Sequence, residues 1–600
     1  MCGIVGYVGA RDALSVLLDG LRRLEYRGYD SAGVAILNGA GLESEKAPGK
    51  IAALEARING RPLHGGMGIG HTRWATHGGV TRENAHPHFS CDGKIAVVHN
   101  GIVENYDSLR RQLTGHAFRS GTDTEVIPHL IEGLYNAYGG NLLKAVNAAL
   151  AYVRGSFALG VLHADHPRRL VAARVNCPLV LGLGEGENFL ASDLFALLPY
   201  TRRIVPLEEH EIAVLEDREV RVYDRDLGPK LRAPLEITWK AETALKGGYA
   251  HFMLKEIYEQ KDTVSAEAAG REASLDGLDL PADLDRVIVV ACGTAWHAGL
   301  VGKSALEEMA GIPVEVGLAS ELRYGDTPFG PRTLAVAISQ SGETADTLAA
   351  VRMAKAAGAP VLAITNIRGS TLAREAERVL TMRAGLEIGV AATKTYTSQV
   401  LDMILLALHL GRARGKLTEE AARQLLEDIR RLPALVEAAL ATDPVVTECA
   451  ERYARGYDFM YIGRRYNLAT ALEGALKMKE ISYLHAEGYG AGEMKHGPLA
   501  LVDERMVCVA IAPRGRVTEK MVSNIQEIRA RQGKIIAVTT EGDALVRSVA
   551  DHVIEIPASP EFLTPVTSIV PLQLLAYRTA VALGRDVDQP RNLAKSVTVE

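Results

Sequence analysis

Three short apolar runs recur in the second half of the chain at nearly constant spacing. Val287–Gly293 (VIVVACG) pairs with Phe459–Gly463 (FMYIG), Leu334–Ser339 with Val507–Ala512, and Val361–Asn366 with Ile535–Thr540, at separations of 170, 173 and 174 residues. Each run is rich in β-branched residues, ends at a glycine or a hydroxyl-bearing turn, and is followed by a longer helical stretch. Continuous apolar runs that alternate with helices are the pattern of parallel strands buried on both faces. A repeat of this length holds a whole α/β unit. The sequence therefore predicts two sister doubly wound α/β subdomains, at about 283–425 and 455–590, with ligands near the carboxyl ends of the strands.

The first part of the chain follows another rule. Six hundred residues exceed one hydrophobic core. From Leu207 to Glu236 short alternating runs (EIAVLED, EVRVYDRD) predict antiparallel strands, and Trp239-Lys240-Ala241-Glu242 leads on to Lys246-Gly247-Gly248. These features place a first α+β domain at 1–238, a linker at 239–248 and a second domain at 249–600, which ends in a tail at 591–600. A net charge of −6 gives no basic footprint, so neither nucleic acid nor an anionic membrane is expected as a partner. The six cysteines, at 2, 91, 177, 292, 449 and 508, show no CxxC pair and no disulfide framework. No metal or cofactor is expected, and a reducing cytoplasm is the expected location. No signal peptide is read, because Cys2 opens directly into a strand pattern. The apolar stretch from Val400 to Leu410 is broken by Asp402 and His409 and is too short to span a bilayer.

Cys2 follows the initiator Met1, and a side chain that small permits removal of the methionine. The thiol and a free α-amine would then share one residue, and an amine titrating near pH 8 can take the proton of a neighbouring thiol. The bland alternative is a cysteine of a buried first strand, CGIVGYVG. His71-Thr72-Arg73-Trp74-Ala75-Thr76-His77-Gly78 is too polar for core and reads as a functional loop. Ile95–His99 is a β-run ending at Asn100-Gly101, a pair that is usually a turn. An Asn amide and a Gly N–H are also the two donors of an oxyanion hole. Arg73 offers a bidentate grip for a carboxylate and Asp123 one for an ammonium, which together describe an amino acid.

Cys2-Gly3-Ile4, RGYDSAG (27–33), HTRWATHG (71–78), HNGIVEN (99–105) and TDTE (122–125), in this order, resemble the N-terminal-nucleophile glutamine amidotransferases over about the first 240 residues. The resemblance implies an αββα sandwich in which Cys2 attacks the glutamine amide to form a glutamyl thioester. It further implies that Asn100 and the Gly101 N–H stabilise the oxyanion, that Arg73 and Asp123 hold the α-carboxylate and α-amine, and that Thr76 and His77 complete the pocket.

In the repeat, Ser339-Gln340-Ser341-Gly342-Glu343-Thr344 follows a strand and opens the helix 345–357. Hydroxyls and N–H groups at a helix N-terminus suit an anion, although an ordinary Ser/Thr cap would look alike. The second copy has Ala512-Pro513-Arg514-Gly515 there, so one phosphate site per chain is expected. The serine-rich turn and the doubled fold resemble the sugar-isomerase (SIS) domain that binds phosphosugars. Glu473–Ile481, running on to Gly492–Pro498, and the stretch Asp588–Glu600 extend the resemblance over essentially the whole chain. It then matches the enzymes that aminate and isomerise fructose 6-phosphate to glucosamine 6-phosphate with nitrogen from glutamine.

That resemblance implies a Schiff base between Lys595 and the C2 ketone, proton transfer from C1 to C2 by Glu480, and ring opening by His496. It also implies sugar binding by Thr294, Ser339, Gln340, Ser341 and Thr344, an ammonia route gated by Trp74, and a homodimer. Taken singly, Glu480 also fits a surface ion pair with Lys477, His496 a loop histidine and Lys595 a solvated tail lysine. Residues 295 and 392 are Ala where the family pattern leads one to expect Ser, so sugar binding is expected to be weaker. A phosphosugar-binding regulator with an idle amidotransferase half, an amidotransferase for another acceptor, and a plain isomerase or deaminase are the rival functions.

Overall fold

The structure is a computed structural model that describes residues 2–60, 63–237, 246–281 and 283–598. The chain divides into two compact units, Met1–Thr243 with Ser596–Glu600, and Ala244–Lys595. Most of the expected linker, 239–245, lies outside the described residues.

The first unit is a sandwich of two antiparallel sheets with helices on both outer faces. The eight-stranded sheet runs in the order Leu235–Glu236, Arg203–Pro206, Val180–Leu183, Asn188–Ala191, Gly3–Val8, Met67–Arg73, Ser31–Asn38, Gly41–Pro48. The seven-stranded sheet is built around Ile95–Val103, Gly155–His163 and Leu170–Val175. The first strand shows how one apolar run serves two cores. Successive side chains point to opposite faces, so Ile4 and Val8 enter the layer between the sheets with Ile69, Val98 and Leu162. Val5 and Tyr7 point outward to Leu17 and Leu21 of the helix Ala13–Leu24. On the other outer face Ile127 and Ile131 of the helix Val126–Tyr135 cover Val97 and Leu159.

The antiparallel strands expected between Leu207 and Glu236 form, Ile212–Leu215 pairing with Val220–Tyr223. Two local expectations are corrected. His71, Thr72 and Arg73 are the buried end of the strand Met67–Arg73, so the loop begins only at Trp74. Asn100-Gly101 is no turn, because the strand Ile95–Val103 runs straight through it. Gly101 is required there: it has φ +132°, and an added Cβ would lie 2.0 Å from the Ser156 carbonyl oxygen.

The second unit carries the repeat. Arg286–Ala291, Val314–Leu318, Thr333–Ile338, Val361–Thr365 and Arg378–Thr381 form one parallel sheet. Asp458–Gly463, Ala486–Gly490, Met506–Ile511, Lys534–Thr540 and His552–Ile556 form the other. Both have the strand order 2-1-3-4-5 within their copy. Corresponding strands begin 172 to 174 residues apart, so the glycine match at 170 slips by two. Gly463 ends its strand, whereas Gly293 opens the helix Gly293–Ala305. That helix, Lys394–Ala413, Tyr466–Ser482 and Thr564–Ala582 contribute to one core continuous across both copies. Asp402, which interrupts the apolar stretch, is buried inside Lys394–Ala413 and accepts from Arg271 Nε at 2.7 Å. Among the described residues no helix is long and apolar enough to cross a membrane.

Candidate active sites

Cys2 precedes the first strand, against the end of Met67–Arg73. The Trp74 N–H points at its Sγ from 3.3 Å, and the Sγ–H faces the Trp74 carbonyl at 3.6 Å. Burial pushes the thiol's pKa up, while the Trp74 N–H and the Arg73 charge pull it back less strongly. A thiol so placed needs a base to become a nucleophile. Asn100 Nδ2 donates to the Cys2 carbonyl at 3.0 Å. Its orientation is set by a residue that sequence reasoning missed. His71 Nε2 lies 2.9 Å from the His99 carbonyl and 3.1 Å from Asn100 Oδ1. Both are acceptors, so Nε2 carries the proton and the Asn100 amide turns its NH2 toward Cys2. Burial drives His71 down to about 3, which keeps the ring neutral for this task.

Arg73 is buried, and its guanidinium donates to Gly79 O at 3.1 Å, to Gly78 O at 3.0 Å and to His77 O. In this structure it braces the loop after Trp74, so its fork is not open to a carboxylate. Asp123 is buried and accepts from the Val103 N–H at 2.7 Å. Thr76 and His77 sit on the exposed loop, 3.4 Å apart, with His77 edge-on to Tyr106. The motif 27–33 frames the site. Asp30 Oδ2 accepts from Ala75 N at 2.9 Å, Tyr29 packs edge-to-face on Trp74 at 5.7 Å, and a Cβ at Gly33 would meet the His86 carbonyl at 2.2 Å.

In the second unit the chain leaves the strand Arg286–Ala291 toward Val314–Leu318 and leaves Thr333–Ile338 toward Val361–Thr365, so the loops after these two adjacent strands diverge and open a crevice between them. Thr294 begins the helix after the first, and Ser339–Thr344 follows the second. Ser339 and Thr344 hydroxyls are 2.9 Å apart, Ser339 Oγ accepts from Gly342 N at 3.1 Å, and Ser341 Oγ from Glu343 N at 3.2 Å. The Gln340 carbonyl is tied to Asn366 N at 3.1 Å. Gly342, at φ +63°, leaves room only for a hydrogen, since a Cβ would lie 2.1 Å from Ser370 Oγ.

Across the crevice the second copy supplies one face of its helix Tyr466–Ser482. Glu473 accepts from Thr294 Oγ1 at 3.1 Å and from His297 Nδ1 at 2.7 Å. Lys477 Nζ bonds Glu480 at 2.6 Å and Thr294 Oγ1 at 3.2 Å. The Lys477–Glu480 pair weighed from the sequence does form, but it is not a surface pair, since the Lys477 side chain is only 1% exposed. Burial would lower the Lys477 pKa, yet Glu473 and Glu480 raise it above the ordinary lysine range. Lys595 is not a solvated tail lysine. Its side chain is 5% exposed and its ammonium donates to Glu387. Glu387 also accepts from Thr393 N at 2.9 Å and Thr395 Oγ1 at 2.7 Å. Burial opposes its ionisation, but Lys595 and these donors hold it below the usual carboxylate range. His496 stands exposed on the turn Glu493–His496 and has no hydrogen bond or ion pair with this cluster among the described residues. Glu387, Glu473 and His297 are the members sequence reasoning missed.

The SIS domain model matches residues 282–409 and again 458–583, and the glutamine amidotransferase domain model matches 71–199. The C-terminal domain of glucosamine-fructose-6-phosphate aminotransferase from Francisella tularensis aligns with 57% of this chain and all of its own length, at 37% identity and a TM-score of 0.54. Over the full length of both chains, the sequence is 55% identical to a Thermus thermophilus glutamine–fructose-6-phosphate aminotransferase (isomerizing) and 50% identical to its Methanosarcina acetivorans namesake. End-to-end identity of that order, with both domain models matched in sequence, makes the chain a member of the isomerising glutamine–fructose-6-phosphate aminotransferase family.

Proposed function

We propose that the chain moves the amide nitrogen of glutamine onto fructose 6-phosphate and isomerises the product to glucosamine 6-phosphate, releasing glutamate. Once Met1 is removed, the α-amine of Cys2 takes the thiol proton and the sulfur adds to the amide carbon. Asn100 Nδ2 and the Gly101 N–H receive the oxyanion, ammonia leaves, and water hydrolyses the thioester. Arg73 meets the glutamine carboxylate by exchanging its loop carbonyls for it, while Asp123 takes the amine and Thr76 and His77 close the pocket. Trp74, whose backbone touches Cys2 Sγ, is the gate that keeps ammonia from water.

In the other half, Lys595 adds to the C2 ketone of the open sugar and water is lost to give the imine. Ammonia displaces the lysine, and Glu480 carries a proton from C1 to C2, its carboxylate oriented by Lys477, whose ammonium also donates to Thr294 Oγ1. His496 opens and recloses the ring, and Ser339, Gln340, Ser341 and Thr344 hold the phosphate. Because Glu387 grips the Lys595 ammonium, sugar binding must loosen that pair before the amine can attack. The reading includes a homodimer in the cytoplasm, with glutamine and fructose 6-phosphate as its small-molecule substrates.

One observation carries this reading. A lysine 208 residues distant in sequence from Glu387 is buried against it, in the same unit as the Thr294–Lys477–Glu480 cluster. A regulator that only binds a phosphosugar has no use for a buried amine there. Glutamine labelled with nitrogen-15 at the amide, given with fructose 6-phosphate, should yield labelled amino-sugar phosphate, and unlabelled product would overturn the assignment. Replacing Ser339, Ser341 and Thr344 together by Ala should raise the Michaelis constant for fructose 6-phosphate by about tenfold to a hundredfold, from a few hydrogen bonds of roughly 1 kcal/mol each. Glutamine hydrolysis without sugar should be unchanged. An unaltered sugar constant would place the phosphate elsewhere.

A further inference from the structure

In the first unit, four side chains from three segments converge. Cys91 lies in the turn between His88–Phe89 and Ile95–Val103, His116 in the loop after the helix Tyr106–Gln112, and His129 and Glu132 lie one turn apart on the helix Val126–Tyr135. One donor atom from each falls within 4.8 Å of all the others. Cys91 Sγ is 3.6 Å from His116 Nδ1 and 3.6 Å from His129 Nδ1. Glu132 Oε2 is 2.9 Å from His116 Nδ1 and 3.5 Å from His129 Nδ1. A tetrahedral zinc site with Zn–S of about 2.3 Å and Zn–N or Zn–O of about 2.0–2.1 Å has edges of roughly 3.6 Å and 3.3 Å.

We propose that Cys91, His116, His129 and Glu132 bind one Zn2+ ion in a closed structural site. A plain hydrogen-bonded cluster accounts for less of the geometry. It explains the short His116–Glu132 contact but gives no reason for the second imidazole nitrogen to face the same sulfur and oxygen. A thiolate, a carboxylate and two neutral imidazoles neutralise a divalent cation, and this mixed sulfur, nitrogen and oxygen set in a tetrahedron suits zinc among common metals.

The surroundings are those of a metal site. The Ala117 N–H points at Cys91 Sγ from 3.3 Å and would stabilise a thiolate. The N–H groups of Cys91 and Asp92, each at 3.0 Å, fix the Glu132 carboxylate. His129 is buried, and its Nε2 makes no hydrogen bond; it faces Glu125 Oε1 at 3.8 Å, where an outer carboxylate orients a ligating histidine. The sequence conceals the set because a single cysteine contributes and the other ligands come from 25 or more residues away.

Glu125 closes the TDTE segment whose Asp123 is assigned to the glutamine amine. The ion would therefore brace that segment, a consequence that rests on the proposed glutamine pocket, whereas the site itself does not. Untagged full-length protein, produced with zinc and purified without chelator, should carry about one Zn2+ per chain by elemental analysis. Cys91→Ser and Glu132→Gln, each shown folded by its thermal transition, should each lose more than about tenfold of that occupancy. Co2+ added to metal-free protein should give a thiolate-to-cobalt absorption band that Cys91→Ser lacks. Wild type without stoichiometric metal and without the cobalt band overturns the site, and so does zinc that survives both substitutions. Neither result touches the nitrogen-15 experiment.

Discussion

Lys595→Ala is expected to cut glucosamine 6-phosphate formation by at least about a thousandfold, because on the proposed mechanism no other amine replaces this covalent nucleophile. Glutamine hydrolysis measured without sugar should persist. Truncation also leaves Glu387 as a buried charge without its cation, and breaking such a pair costs about 3–5 kcal/mol. The thermal midpoint of the second unit should fall, so activity must be read well below it. Lys595→Arg separates the two effects: it keeps a cation for Glu387 and restores stability, yet cannot form the imine. Reduction with cyanoborohydride in the presence of fructose 6-phosphate should add the sugar to the peptide carrying Lys595 in wild type only. If Lys595→Arg makes amino sugar at more than a few per cent of the wild-type rate, the Schiff-base role is wrong.

Cys2→Ala is expected to reduce glutamate release by a similar factor, at least about a thousandfold, since on the proposed mechanism the residue supplies the nucleophile and, after loss of Met1, its own amine base. Folding should be little affected. The substitution removes only the thiol's two contacts with the Trp74 main chain, and the Asn100 amide still donates to the carbonyl of residue 2. Retaining Met1 should be as damaging as removing the thiol, because the amine is then moved one residue away. A chain with Met1 intact that still hydrolyses glutamine at the wild-type rate would show that the amine is not the base.

The fold was legible wherever one physical demand dominated the residue choice. Parallel strands covered on both faces need unbroken apolar runs, so Val287–Ala291 and Val507–Ile511 declared themselves and their recurrence revealed the duplication. Local turn chemistry misled at Asn100-Gly101, where the strand continues because Gly101 must fit against the Ser156 carbonyl. Polarity misled at His71–Arg73, which are buried because each has a partner to satisfy: His71 serves Asn100, and Arg73 serves the loop carbonyls. Glu387 carries no local signal. It sits in the irregular stretch 383–393, and its role exists only because a residue far along the chain returns to it. Thr294, Glu480 and Lys595 were read from motifs and the Lys477–Glu480 pair from its spacing, but Glu473, which holds Thr294, and Glu387, which holds Lys595, are tertiary partners.

The helix Tyr466–Ser482 gives the duplication a temporal consequence. Thr294 and its partner Glu473 are 179 residues apart, and contacts between residues so distant form late, after the chain has met a large closure entropy. When a ribosome has not yet delivered the second copy, the residues that pair in the first sheet and those that build the Ser339–Thr344 turn are all already present. On the proposed mechanism, the first copy would at that moment have the phosphate turn without Glu480, the carboxylate assigned to the proton transfer. The nascent chain would then pass through a stage that sequesters sugar phosphate without consuming it.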